Sequence, residues 1–500
     1  MLMRHFIIGS AASLLTIGAA QAADLPLKAK AVEYVKVCSL YGAGFYYIPG
    51  TDTCIKLGGY TRAEVAFNAS GMTATPAWNK DAGQGNRLKN DYIFRSRQDL
   101  NIDTRTATDY GVVRTYFDAV FTWTSGDAIA GGTLGVYFAF IQFAGFTFGK
   151  AVSQFSAPWN GTPGNITSNL IGGDDVSTGI NQISYTAQFG NGVSGTISLE
   201  DQSQYRQAQG VSGLINVNGT GSDNNAASWL AGAGPGTNKA VPTSYVAGTQ
   251  MPDIVGQLRV DQAWGLFQVA AAAHQIRASY YNPSNETTGH PSDKYGYAVM
   301  AALSLKNLPT GAGDSINIDA TYADGAIRYV IGGTSPNNFS MFGDTGLVNT
   351  YQSLAIGSAV DGVFGTNTGI YTTKAWGIRG AFNHNWTPNW TTSVFGSYSS
   401  VDFGGTGGAL YTSGLRNVVG GTFTGNPNFD IIQIGTRTAW TPVKNLTFTG
   451  EVMWTKLDQN YSGVTDNVNA GGTKPTSGIR SYEFKDQDTW TGVIRAQRNF

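Results

Sequence analysis

Residues 92–106 read Tyr92-Ile93-Phe94-Arg95-Ser96-Arg97-Gln98-Asp99-Leu100-Asn101-Ile102-Asp103-Thr104-Arg105-Thr106. Tyr92, Phe94, Leu100, Ile102 and Thr104 fall on one parity, weakened at Ser96 and Gln98. Arg95, Arg97, Asp99, Asn101, Asp103 and Arg105 fall on the other. Successive side chains of a strand point to opposite faces, so this stretch is a strand with one apolar and one charged face.

The pattern recurs to the end of the chain. Ile316, Ile318, Ala320 and Tyr322 alternate with Asn317, Asp319 and Thr321; Ile432, Ile434 and Trp440 alternate with Gln433 and Arg437. Leu446, Phe448, Val452 and Trp454 alternate with Thr447, Thr449, Glu451 and Thr455. Trp490, Gly492, Ile494, Ala496 and Phe500 alternate with Thr491, Val493, Arg495, Gln497 and Asn499; Arg498 interrupts the apolar face where it can snorkel to an interface. Sixteen strands are expected, at 54–68, 91–106, 109–123, 133–143, 146–151, 179–189, 193–200, 252–262, 266–277, 294–306, 314–330, 374–386, 389–401, 429–440, 445–457 and 488–500.

Alternation alone also fits a soluble sandwich, and the connections separate the two. Ala144-Gly145, Gly190-Asn191-Gly192, Ala263-Trp264-Gly265, Thr387-Pro388 and Thr441-Pro442 are tight turns; Thr106-Ala107-Thr108 and 308–313 are little longer. They alternate with loops at 69–90, 152–178, 201–251, 331–373, 402–428 and 458–487, and shorter ones at 124–132 and 278–293. Short turns at one end and long loops at the other mark a transmembrane barrel. Trp264, Trp386, Trp390 and Trp440 lie at the short-turn ends and Trp123, Trp376, Trp454 and Trp490 at the long-loop ends, as two interfacial girdles require.

Composition agrees. Only 13% of the 500 residues are charged, 66 are glycine, 12% are aromatic, and the formal net charge of −1 gives no pull toward nucleic acid. Arg4, the apolar run 6–18 and Ala20-Gln21-Ala22 read as a secretory signal over 1–22, with the mature chain starting at Ala23. No later segment is long and apolar enough for a spanning helix, which leaves a closed sheet as the way to pair every backbone group in lipid. Cys38 and Cys54 are expected to pair in an exported chain, two free thiols being the alternative. The domain reading is a signal at 1–22, a short-turn-side segment at 23–53, and a barrel at 54–500.

With lipid outside, the polar faces line a lumen. Lys56, Tyr60, Arg62 and Glu64, then Arg95, Arg97 and Asp99, then Arg114 and Asp118 face inward from three neighbouring strands. This is either a solvated wall or the basic side of a constriction that sets ion preference. Loop 152–178, with glycines and the acidic pair Asp174-Asp175, is the expected opposite side if it folds inward; the remaining long loops look like exposed surface. No metal or cofactor is called for.

These residues resemble the alphaproteobacterial porin family. The resemblance lies in Val32-Glu33-Tyr34-Val35-Lys36-Val37-Cys38, in Tyr41 to Thr51 followed by Cys54, in Ile141-Gln142-Phe143-Ala144-Gly145-Phe146-Thr147-Phe148-Gly149, in Gln182-Ile183-Ser184-Tyr185 and in Arg495 to Phe500. It implies a sixteen-stranded homotrimeric porin passing small hydrophilic solutes and ions, narrowed by its third extracellular loop, with Cys38 joined to Cys54. Phe500 resembles the signal read by the outer-membrane assembly machinery.

Three other classes compete with a porin. Hydrolysis by a barrel enzyme needs a nucleophile near a base, yet of His5, His274, His290 and His384 only His274 faces the lumen, alone. A substrate-specific sugar channel needs an aromatic track, and parity places only Tyr60, Tyr110, Tyr116 and Phe395 inward. A purely structural barrel would conduct nothing.

Overall fold

The alternating segments hydrogen-bond edge to edge until the last meets the first. The computed structural model describes residues 36–70, 75–76, 91–166, 170–175, 178–201, 213–217, 246–282, 285–332, 338–466 and 481–500. The signal at 1–22 lies outside these residues. The wall strands are β1 (Thr53–Phe67), β2 (Tyr92–Thr108), β3 (Gly111–Thr124), β4 (Thr133–Phe143), β5 (Phe146–Ala151), β6 (Ile180–Gly190), β7 (Val193–Glu200) and β8 (Asp253–Gln262). They continue as β9 (Gly265–Ile276), β10 (Lys294–Lys306), β11 (Ser315–Asp324), β12 (Lys374–Thr387), β13 (Trp390–Asp402), β14 (Phe429–Val443), β15 (Leu446–Gln459) and β16 (Gln487–Asn499). Every neighbour pair is antiparallel, and β16 closes on β1 from Tyr60↔Asn499 to Phe67↔Gly492. Closure removes both sheet edges, so no backbone row is left facing lipid.

The tight turns have a local cause. In Ala144-Gly145 both residues adopt positive φ, +49° and +86°, the geometry that matches a two-residue hairpin to the strand twist. Outward side chains are bare: Phe94, Ile197, Leu258, Val394, Ile434 and Ile494 are all exposed. Trp264, Trp386, Trp390 and Trp440 are exposed at the short-turn end, the last two stacked 5.7 Å apart. Trp123, Trp376 and Trp490 are exposed at the other. Cys38 and Cys54 form a disulfide, and Tyr46–Tyr47 pairs with Ile55 and Cys54 to tuck the segment before β1 against the barrel.

Two expectations are corrected. The strand expected at 314–330 ends at Asp324. Gly325, with φ +66°, turns the chain inward, and a Cβ there would sit 2.5 Å from Ile276 Cδ1. The long loops are also not mere exposed surface. Asn338–Gly343 pairs with Gln352–Ser358, which pairs with Tyr482–Phe484, then Ser462–Val464, then Thr422–Thr424: one five-stranded sheet built from three loops. Helix α1 (Gly405–Val419) buries Tyr411, Leu415 and Val419 against it.

This core is continuous with the inner wall of β8–β12, through Val255, Ala270, Ala272, Ala298, Met300, Ala302, Ala323 and Ala375. Those strands are apolar on both faces because lipid covers one and loops cover the other. Apolar side chains scattered through Gly-rich loops carry no period, which is why the loops read as surface.

Candidate functional site in the barrel lumen

The third long loop, described at residues 152–166, 170–175 and 178–179, crosses the lumen and lies against the far wall. Gln257 and Gln268 donate from β8 and β9 to the carbonyls of Gln154 (2.7 Å) and Ser156 (2.9 Å). Asn317 and Asn383 donate to Pro163 O, Ser393 donates to Gly164 O, and Ile166 N–H donates to Glu451. On the return, Leu170 packs on Ala381, Phe395 and Met453, and Ile171 N–H donates to Gln433 (2.8 Å). Gly172 meets Gly377 backbone to backbone, where a Cβ on Gly377 would come 2.4 Å from Gly172 Cα. A loop without its own secondary structure has unpaired peptide groups, and these inward amides and hydroxyls supply their partners.

One side chain ties the return strand down. Arg379, 1% exposed, holds Asp319 at 2.9 and 3.0 Å and donates to Leu170 O and Gly173 O (both 3.1 Å) and to Asp174 O. Asp174 and Asp175 are buried here, 2% and 0% exposed. Asp174 accepts from Ser156; burial pushes its carboxyl up to about 7, against the Ser156 hydrogen bond and with Asp175 and Glu200 adding to the rise. The acidic pair therefore sits with Arg379, while Arg95, Arg97 and Arg114 stand on β2 and β3.

The basic side is ordered by cross-strand register. Glu64, 2% exposed at its side chain, lies between Arg95 and Arg495, the latter at 2.7 Å. Asp103 lies between Arg105 (3.0 Å) and Arg114 (2.9 Å). Arg62 stands directly opposite Arg97, bonded to Gln497 (2.8 Å) and lying over Tyr60. Arg97 bonds Thr122 (3.2 Å) and faces Tyr137. Lys56 is exposed, its ammonium 5.9 Å from the Phe45 ring of the N-terminal segment.

Parity missed part of the lining. A bulge between Asp118 and Ala119 shifts the β3–β4 register. Tyr137 then meets Arg97, and Phe140 stacks on Tyr116 under Arg114. Phe395 is covered by the third loop, and Tyr110 is an exposed turn residue at 83%. His274 is not alone in the lumen: it is 2% exposed, with Asp253 at 2.8 Å and Asp361 of the sixth loop at 3.5 Å.

A family model described as a porin subfamily matches residues 24–493. The chain belongs to that porin subfamily. This porin is 31% identical over 276 residues to the Omp2b porin of Brucella canis, covering 53% of this chain and 63% of that one. It is 30% identical over 283 residues to the Omp2b porin of Brucella suis, covering 53% and 64%. The alignment thus spans under two thirds of the relatives' length. Its fold matches the outer membrane channel DcaP of Acinetobacter baumannii with TM-score 0.58 at 14% identity, over 91% of this chain and 99% of that one. The porin is a multi-pass outer-membrane barrel.

Proposed function

We propose that this porin is a passive diffusion channel for small hydrophilic solutes and ions. The observation that carries the reading is the asymmetric lumen: the third loop is pinned flat on β8–β15 and a charged wall stands on β16–β3. Lys56, Arg62, Arg95, Arg97 and Arg114 form the basic side of the constriction. The third loop forms the other side, with Asp174 and Asp175 acting from within it as anchors. His274 is buried against two carboxylates, out of reach of a solute, which favours a channel over a hydrolase.

Membrane lipid contacts the exposed apolar face, the chain assembles as a homotrimer, and Phe500, 61% exposed beside the β16–β1 seam, is the handle for the assembly machinery. A substrate-specific channel is the second reading, favoured by the inward strip of Tyr60, Tyr137, Tyr116 and Phe140. Planar-bilayer recording of the purified protein tests both: unsaturating conductance supports general diffusion, and saturable block by a sugar supports the second reading. Migration before and after heating tests the trimer.

A further inference from the structure

The lumen's carboxylates and guanidinium groups differ in what they show to water. Every inward carboxylate of the central wall is covered. Glu64 is 5% exposed between two arginines, and Asp99, Asp103 and Asp118 are 4%, 7% and 7% exposed. Glu451 is 6% exposed and accepts from the Ile166 amide. The guanidinium groups of Arg62, Arg97 and Arg437 are only half-buried, and none has a carboxylate within ion-pair distance among the described residues.

The groups that bond Arg62 and Arg97 are neutral, whereas Arg437 stands opposite Glu451 in register without an ion pair. Arg62 bonds Gln497 and rests 4.3 Å from the Tyr60 ring centre; Arg97 bonds Thr122. Arg437 Nε is buried with no hydrogen-bond partner. Arg62 and Arg97 are register partners on adjacent strands, and like charges directly opposite each other destabilise a sheet. Glu64, already shared between Arg95 and Arg495, and buried Asp99 act on the pair only from a distance, and among the described residues no carboxylate reaches either guanidinium, so a group that supplies negative charge would relieve it.

The opposite side adds no counter-field. Residues 153–166 of the third loop contain no charged side chain, and its Asp174 and Asp175 are buried behind. Five arginines (Arg62, Arg95, Arg97, Arg437 and Arg495) stand against two carboxylates (Glu64 and Glu451), a net of +3. Adding buried Asp99 and Asp118 still leaves five against four, net +1. A low-dielectric passage lined by one sign of charge concentrates the opposite ion.

We infer that this channel selects small oxyanions, carboxylates or phosphates, over cations, and that Arg62 and Arg97, with Arg437, form the selecting site. Arg95 and Arg114 of the basic side, like Arg105, are each held against a buried carboxylate and so contribute less unpaired charge. The inference rests on the channel reading above and assigns its solute class. A unit charge about 5 Å away in water changes the local concentration of a monovalent ion roughly fourfold. The cation falls by the same factor, so each charge shifts the anion-to-cation ratio roughly sixteenfold unscreened, and removing the facing pair should cost at least about tenfold once salt screening is counted.

The experiment is the reversal potential of purified protein in a planar bilayer under a potassium chloride gradient. Wild type should be anion-selective. The preference should weaken as ionic strength rises, because the Debye length falls to about 3 Å at 1 M. Arg62→Gln with Arg97→Gln should lower the chloride-to-potassium permeability ratio at least about tenfold, whereas Arg105→Gln, outside the basic side and paired with Asp103, should change it less than about twofold. Acetate and phosphate are then added separately. Each should reduce the chloride current in wild type but not in the double variant, the stronger showing which oxyanion the site prefers.

A wild type that is cation-selective or unselective overturns the inference, and so does an Arg105→Gln effect as large as that of the pair. Absence of block by both oxyanions overturns the oxyanion class. Absence of any conductance would instead overturn the channel reading itself. The salt dependence is read on wild type, so the inference stays open to refutation even if the double variant does not assemble.

Discussion

Arg379→Met removes the guanidinium that pins the third loop. Three loop carbonyls, of Leu170, Gly173 and Asp174, lose their donor, and Asp319, 1% exposed, keeps only Trp159 as a hydrogen-bonding side chain among the described residues. Breaking a buried pair on one side costs about 3–5 kcal/mol, because the remaining charge stays uncompensated. Protonation of Asp319 recovers part of that. At about 1.4 kcal/mol per factor of ten, the docked-to-released ratio of the loop falls by roughly 10²–10³. Cleavage of a transiently opened segment follows the open population, so limited proteolysis within 152–179 should accelerate by about the same factor.

Asp319→Asn leaves the three carbonyl bonds but strands the buried Arg379 guanidinium without its carboxylate, so it should accelerate cleavage as well. Single-channel traces of Arg379→Met should show larger and noisier steps, while the barrel keeps its resistance to heat because none of its ladder is touched. Equal cleavage rates and equal traces for Arg379→Met and wild type would refute Arg379 as the anchor.

The remaining predictions concern the same loop and the N-terminal segment. Asp174 titrates near 7 when buried, above its unfolded value of about 4, so it binds an extra proton in the docked state. Docking stability from this group is full below about pH 4, falls by a few kcal/mol as pH rises to about 7, and is flat above. Protease protection of the loop should decline over that window, and Asp174→Asn should flatten the decline. Gly377→Val places side-chain atoms where Gly172 backbone lies, so it should cost the docked loop about 1–3 kcal/mol and enlarge single-channel current without lowering barrel content by circular dichroism. Cys38→Ser opens the link to Cys54 across a separation of 16 residues and should cost the segment before β1 about 3 kcal/mol, read as earlier proteolysis there in the absence of reductant.

Much of the barrel is legible because lipid imposes a simple rule. Phe94, Leu100 and Ile102 must be apolar outside while Arg95, Arg97 and Asp103 face water inside, and that rule locates strands within a few residues. It fails where both faces are covered. The run Val269-Ala270-Ala271-Ala272-Ala273 on β9 and Val299-Met300-Ala301-Ala302 on β10 carry apolar residues on the inward parity, a readable sign that loops pack there. The loop residues that meet them, such as Tyr329 and Ile331, lie in segments without periodicity.

The site was legible as a list of cations and not as a set of pairs. Whether an arginine is neutralised depends on cross-strand register: Glu64 stands opposite Arg95 and Arg495, Arg62 stands opposite Arg97, and Arg114, opposite Arg105, reaches Asp103 on the diagonal. A one-residue bulge in β4, at Tyr137, brings Tyr137 and Phe140 to the lumen against strict alternation.

Conductance of the purified protein in a planar bilayer, recorded as potassium chloride concentration is raised, tests the central claim most directly. A water-filled path beside a docked third loop predicts discrete ohmic steps whose size keeps growing with salt. A bilayer that stays silent under saturating protein, or steps that plateau at low salt, would contradict it.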